Sequence, residues 1–455
     1  MIVLIAAQAS AHRGRCAKVL SCQRVIIKRS MVPLQKLFGR PSHGSRLPLE
    51  LLILAVTGLV LAGRFAGNFW LHPPFLMDFN VYHFAAQLIA TGQGHALYRA
   101  AYSPGVLYMY APPWAVIWTP LALFSVHHAG VLWSLLGVGW LVATLWCANR
   151  LAEAAGLRAW PWASGLAVLL LSRMLLAEFG NGQADLWWGG LVAWFLVCEV
   201  RGQAHLAAAS LALSMALKLP SALFVPYLAL TGRWRSAGRA IGWFTFLVII
   251  GAALAYPRNP AFLLVEWGRC LLATGPPSMF RIGDQSFAAL LARLLTADGY
   301  GLNVLSLTRP TVLLITICLE MLLFFSIILP RQRSQRERQP KELRFAIDGA
   351  LLMILMALAS PSCWLATYSV LLVPFILAIT LFVTGPSSIR RDPWALLLAG
   401  LTGLFSILTH SKFLRAMGLT SWRGETYVFL VLMIPPLMAL SLFACLRRQR
   451  SRRLT

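Results

Sequence analysis

Four stretches place polar side chains suited to chemistry inside an otherwise apolar chain. In "MDFNVYH" (residues 77–83), Asp78 is followed closely by the phenol of Tyr82 and the imidazole of His83. A carboxylate near a membrane surface can act as general base towards a substrate hydroxyl. It can also cap the following helix by accepting from its first backbone N–H groups, and the two roles are compatible. In "SMALKLPSALF", Lys218 is an ammonium among apolar residues. At membrane depth that charge is costly and marks a functional candidate, its partner an anion such as a lipid phosphate. Snorkelling to the surface is the plain alternative. Arg173 raises the same choice, with Glu178 as a ready local partner. "GNGQAD" (180–185) offers Asn181, Gln183 and Asp185 beside glycines that allow close backbone approach to a ligand; a plain loop reads equally well. "RIGDQSFAALLARLL" (281–295) sets Arg281, Asp284, Gln285 and Ser286 before an amphipathic run. That pattern reads as a helix cap or as a polar cluster that handles a sugar.

The elements that must position these residues are membrane helices. The 455 residues are 58% hydrophobic and 12% charged, with a mean hydropathy of +0.70. A soluble domain carries about 25% charged residues. Apolar runs recur from Leu47 to Leu446, each long enough to cross a hydrocarbon core of roughly 30 Å as a helix. The expected fold is an all-α polytopic membrane protein with about twelve spans. They fall near 48–66, 129–148, 160–178, 184–200, 204–217, 219–231, 240–256, 311–329, 345–359, 365–384, 394–408 and 426–446. "PPWAVIWTPLALF" (112–124) is apolar and reads either as a span or as an interfacial segment; being short and rich in Pro and Trp, it is expected to lie in the interface. Pro220 disfavours helix in the residue before it and predicts a break beside Lys218. "FNVYHFAAQLIATG" puts Phe79, Tyr82 and Ala86 on one face and Asn80, His83 and Gln87 on another, as in an interfacial helix.

A net charge of +25 raises the question of nucleic acid. The distribution answers it. Half of the Lys and Arg residues lie in 13–46, 331–344 and 447–453, flanking spans. That is the positive-inside pattern, and these segments read as cytoplasmic. Residues 1–47 form a basic N-terminal segment, with Met31 an alternative start; 48–446 form the membrane domain; 447–455 form a basic tail. Residues 67–128, "GNGQAD", Lys218, 257–310, "SPSCW" (360–364) and 409–426 then fall on the opposite, extracytoplasmic face of a cell membrane. The eight cysteines show no metal or disulfide spacing. No Walker loop, GxGxxG fingerprint, zinc signature or GxSxG elbow appears.

Taken in order, these stretches resemble glycosyltransferase family 87, membrane enzymes of the GT-C class. The resemblance covers about 78–375. "DFNVYHFAAQLIATGQGHALY" (78–98) is similar to the family's Asp-Phe-x-Val-Tyr opening. "YAPPWAVIWTPLAL" (110–123), starting at Tyr110, is similar to its Tyr-x-Pro-Pro block, and "GNGQADLW" to its Gly-Gln element. "LAAASLALSMALKLPSALFVPYL" resembles the run ending in Lys-x-x-Pro, with the proline one place early. "DQSFAALLARLL" resembles the Asn-Gln-Ser block, with Asp284 in place of Asn. "SPSCWLATY", with Trp364 and Tyr368, resembles its Ser-Pro-x-x-Trp element. An ionisable group often follows that Trp in the family, and here none precedes Tyr368.

The resemblance implies a GT-C-type fold with extracytoplasmic interfacial helices. It also implies transfer of a sugar, mannose foremost, from a polyprenyl-phosphate donor to a lipid-linked or glycan acceptor, with inversion. Asp78 would take the acceptor proton. Lys218 would hold the donor phosphate with help from Arg281. The substrate would be bound by residues among Tyr82, His83, Tyr110, Asn181, Gln183, Asp284, Gln285, Ser286, Trp364 and Tyr368. No metal, cofactor or nucleic acid enters this scheme; membrane lipids are the remaining partners. A lipid-linked-sugar transporter is the alternative, weakened because only one broken helix is legible. A non-catalytic homologue is a further one.

Overall fold

The computed structural model describes residues 76–278, 283–297, 304–329, 340–384, 392–410 and 424–450. The expected first span, 48–66, the basic segment 1–47 and Arg281 lie outside the described residues. Among the described residues the secondary structure is helical, with two isolated β-bridges and no strand.

Helix α1, Met77–Ala90, is followed by an irregular stretch and then α2, Pro112–Trp118, continued by a 3-10 turn, Thr119–Leu123. Next come α3 (Val126–Ala154), α4 (Pro161–Leu170), α5 (Ser172–Asn181), α6 (Asp185–Val200) and α7 (Ala204–Leu217). A 3-10 turn, Leu219–Leu223, leads into α8 (Phe224–Leu230), α9 (Trp234–Ala255) and α10 (Pro260–Ser278). The remainder is α11 (Phe287–Leu295), α12 (Arg309–Ile328), α13 (Lys341–Leu358), a 3-10 turn (Leu365–Leu371) running into α14 (Leu372–Thr384), α15 (Pro393–Leu408) and α16 (Gly424–Arg450).

Among the described residues, four segments are long and apolar enough to cross a membrane: α3, α9, α12 and the continuous Leu365–Thr384. The apolar window of α12 is only 22% buried, as a lipid-facing span should be, whereas that of Leu365–Thr384 is 83% buried and forms the centre of the bundle. Every residue from Phe345 to Leu358 of α13 is also buried. α6 packs beside this centre, against α3, α7 and the Leu365–Leu371 turn.

The span expected at 160–178 is a pair of helices, α4 and α5, bent by 68° at Leu171. The second half carries Ser172, Arg173, Glu178 and Asn181, too polar to continue straight through lipid. The bent pair would make a fifth span; α7, the Leu219–Leu230 segment and α15 are shorter apolar helices. Of the twelve crossings expected, four, or five with the bent pair, are matched by helices of spanning length and apolarity among the described residues. The 112–124 stretch is short and packed, with Trp114 and Trp118 buried. The segment 257–310, expected as a loop, contains the 19-residue α10. The predicted break occurs at Lys218, whose backbone is extended between α7 and the Pro220 turn.

Candidate active site

Helix α1 is held by aromatic packing. Phe79 and Tyr82 are buried, and both stack near Trp133, at 5.4 and 5.2 Å between ring centroids. Trp133 in turn lies against Trp118 and Trp187. These rings fix the first turn of α1, which carries Asp78. The N-cap residue is Leu76, without a side-chain bond, so Asp78 sits inside the first turn. Its Oδ2 accepts from Gln183 Nε2 at 2.5 Å.

That contact depends on Gly182. It ends α5 in the left-handed region, φ +67°, where a Cβ would be strained. A Cβ there would also lie 2.7 Å from Phe79 Cβ. Glycine lets the α5–α6 turn lie directly against α1, and the next residue reaches Asp78.

Asp185 opens α6 and is fully buried. Its Oδ1 accepts from the ammonium of Lys218, and its Oδ2 from the hydroxyl of Thr367 at 3.2 Å. Thr367 Oγ1 accepts from Trp364 N at 3.2 Å. A continuous polar chain therefore joins the helix break at Lys218 to the loop at Trp364. Behind it, Glu178 accepts from Leu186 N at 2.8 Å and from the Ser369 hydroxyl at 3.4 Å. Glu178 thus secures the start of α6, where sequence pairing had suggested Arg173 as its partner.

Asp78, Tyr110, Gln183, Lys218, Ser360 and Trp364 all line one cavity of about 530 Å³. Its remaining wall is largely apolar and includes Leu217, Leu219, Leu223, Trp267 and Leu271. Trp267, Leu271 and Thr274 supply one face of α10 at helical spacing, a signal legible in the sequence once that helix is admitted. Tyr110 bonds Tyr82 hydroxyl to hydroxyl at 2.8 Å. An ammonium has three donors; the Asp185 bond leaves two for a ligand oxygen. Burial, then the Asp185 charge, pushes the Asp78 carboxyl up to about 6, with Lys218 opposing.

The other expected site residues are placed differently. His83 is buried, its Nε2 3.2 Å from the Phe124 carbonyl, rather than on a solvent-facing side of α1. The close packing of α1 on the Thr119–Leu123 turn puts it there. Asn181 is exposed at the end of α5, outside the cavity lining. Asp284, Gln285 and Ser286 also lie off the cavity wall and brace it. Asp284 accepts from Ser286 N at 2.7 Å and Cys363 N at 3.0 Å, and Gln285 N donates to the Cys363 carbonyl at 2.7 Å. Ser286 caps α11 through Ala289 N at 3.1 Å. Tyr368, fully buried, donates to the Gln285 carbonyl at 2.6 Å. Burial raises the Asp284 carboxyl to about 6 against the bonds from Ser286 and Cys363. This bracing sets the loop that presents Ser360 and Trp364.

The arrangement defines a helical membrane protein with a carboxylate and an ammonium on the wall of one largely apolar cavity. The sequence model of glycosyltransferase family 87 matches residues 108–361, more than half of the chain, and the chain belongs to that family. Tyr110, Gln183, Lys218 and Ser360 fall inside the match; Asp78 lies before it and Trp364 just after. Over 285 residues the chain is also 27% identical to a polyprenol-phosphate-mannose-dependent alpha-(1-2)-phosphatidylinositol mannoside mannosyltransferase of Mycobacterium tuberculosis. That alignment takes in 57% of this chain and 64% of the relative, less than two thirds of its length.

Proposed function

We infer that this glycosyltransferase moves a sugar, mannose by its relationship, from a polyprenyl-phosphate donor to a lipid-linked or glycan acceptor at the extracytoplasmic face of a cell membrane. The observation that carries the reading is the shared cavity of Asp78 and Lys218 with its apolar wall. An isoprenoid chain suits the surface of Leu217, Leu219, Leu223 and Leu271. Its phosphate then lies beside the Lys218 ammonium.

In this scheme the acceptor hydroxyl attacks the anomeric carbon as the bond from that carbon to the phosphate oxygen breaks. Asp78 takes the hydroxyl proton. The departing polyprenyl phosphate keeps the electron pair, and its negative charge is met by Lys218. One displacement inverts the anomeric centre. A carboxyl poised near pH 6 is well matched to the base role, because it is ionised at neutral pH yet still accepts a proton. Gln183 orients the carboxylate, and Trp364 and Tyr110 offer ring surface to the sugar.

The test is transfer by the purified chain from radiolabelled polyprenyl-phosphate-mannose to a membrane lipid extract, beside a parallel reaction with a nucleotide-mannose donor. Label is expected in the extract only from the polyprenyl donor. Transfer from the nucleotide donor alone, or from neither, contradicts the reading.

A further inference from the structure

Gly283 and Trp364 meet across two loops that are paired to each other. Gln285 N donates to the Cys363 carbonyl at 2.7 Å, and Cys363 N donates to the Asp284 carboxylate at 3.0 Å. One residue on, Trp364 N donates to Thr367 Oγ1 at 3.2 Å. Cys363, Asp284 and Thr367 are all buried. The backbone on both sides of the contact is therefore fixed, and the indole of Trp364 is the part that can shift.

That indole is 38% exposed and lines the sugar-transfer cavity, whereas Gly283 is not part of the lining. The ring thus stands between the glycine and the cavity. A Cβ built on Gly283 would lie 2.4 Å from Trp364 Cζ3, 3.2 Å from Cη2 and 3.4 Å from Cε3. Carbon atoms rest at about 3.5–4.0 Å from one another. Any larger residue at 283 would push the outer edge of the indole by roughly 1 Å, away from its own loop and towards the cavity. Gly283 is not among the glycines with positive φ. The demand for glycine here comes from the ring and not from backbone conformation.

An indole offers a broad apolar face with a polar N–H at one edge. A pyranose can lay its C–H bonds and its hydroxymethyl arm on such a face. We propose that Gly283 is a positioning residue for sugar selection: by leaving room for the indole, it sets the depth of the platform on which the ring and hydroxymethyl arm of the transferred hexose rest. This inference rests on the transferase reading above.

The test compares transfer by the full chain from polyprenyl-phosphate-mannose and from polyprenyl-phosphate-lyxose, the pentose that lacks only the hydroxymethyl arm. The ratio of the two kcat/KM values is the readout, because a loss of stability or of folded protein lowers both together. In Gly283→Ala the mannose-to-lyxose ratio is expected to fall at least about tenfold, the lower end of what one carbon group is worth in a pocket. In a Trp364→Phe background the smaller ring leaves space for the Cβ, and adding Gly283→Ala is expected to leave the ratio unchanged. Should Gly283→Ala alone fail to fold, Gly283→Ala with Trp364→Phe is expected to fold, and the ratio is then read in Trp364→Phe, where it must differ from the wild type. An unchanged ratio in folded Gly283→Ala, an equal fall in both backgrounds, or misfolding of both Gly283→Ala variants overturns the proposal while wild-type transfer leaves the transferase reading standing. No transfer from polyprenyl-phosphate-mannose by the wild type overturns that reading and the proposal with it.

Discussion

The ammonium of Lys218 is bonded to the carboxylate of Asp185, a fully buried side chain 33 residues earlier in the chain. The pair joins the broken α7–α8 segment to the head of α6. It also means that Lys218 has a structural duty besides any contact with substrate. Lys218→Ala would leave the Asp185 charge buried and unmatched, a loss of about 3–5 kcal/mol. Lys218→Met with Asp185→Asn removes both charges and is expected to recover most of that stability. Thermal unfolding checks the recovery. Transfer is expected to stay low in the folded double variant, because the donor phosphate has lost its cation; restored transfer would assign Lys218 a structural role only.

The protonation of Asp78 predicts a pH profile. Its carboxyl is raised from 3.8 to about 6. A base works only when ionised, so kcat/KM is expected to fall as pH drops through about 6 and to level off above it. An acid limb near 4 instead would contradict a buried, perturbed base.

Gly182→Ala forces a side chain into left-handed backbone and against Phe79 Cβ. The expected cost is about 1–3 kcal/mol. Transfer should fall with it, because Gln183 is drawn away from Asp78. The melting temperature and kcat of this one variant test both effects.

Tyr368→Phe removes only the hydroxyl that donates to the Gln285 carbonyl. A loss of about 1 kcal/mol is expected, with transfer retained below the melting temperature. A large drop in kcat without a drop in stability would return Tyr368 to the substrate-contacting set.

Much of the fold was legible because membrane helices announce themselves by apolar length, and Pro220 marks the break at Lys218. Phe79 and Tyr82 could be read as anchors from their helical spacing. The partners of polar residues were not legible in the same way. Glu178 lies five residues after Arg173 and looked like its mate, yet it secures the start of α6. Asp185 was visible in "GNGQAD", but nothing local joins it to Lys218 or Thr367; that depends on how three separate segments pack. His83 read as part of a polar helix face until the Phe124 carbonyl closed over it. Glu266 and Arg269 interrupt the apolar run of helix α10, in the segment expected as a loop; in the structure they pair with each other at 2.7 Å, and Glu266 also pairs with Arg99 at the same distance. Asp284, Gln285 and Ser286 were recognised as a cluster, whereas their bracing of the Cys363 loop is a long-range contact that sequence spacing does not carry.

Asp78 is proposed to remove the acceptor proton in the cavity it shares with Lys218. The measurement is donor binding and transfer side by side for Asp78→Asn, an isosteric change that keeps the side-chain shape. Binding of polyprenyl-phosphate-mannose is expected to match the wild type, while transfer falls by about a hundredfold to ten-thousandfold, the usual worth of a positioned base. Transfer at the wild-type rate would contradict the account.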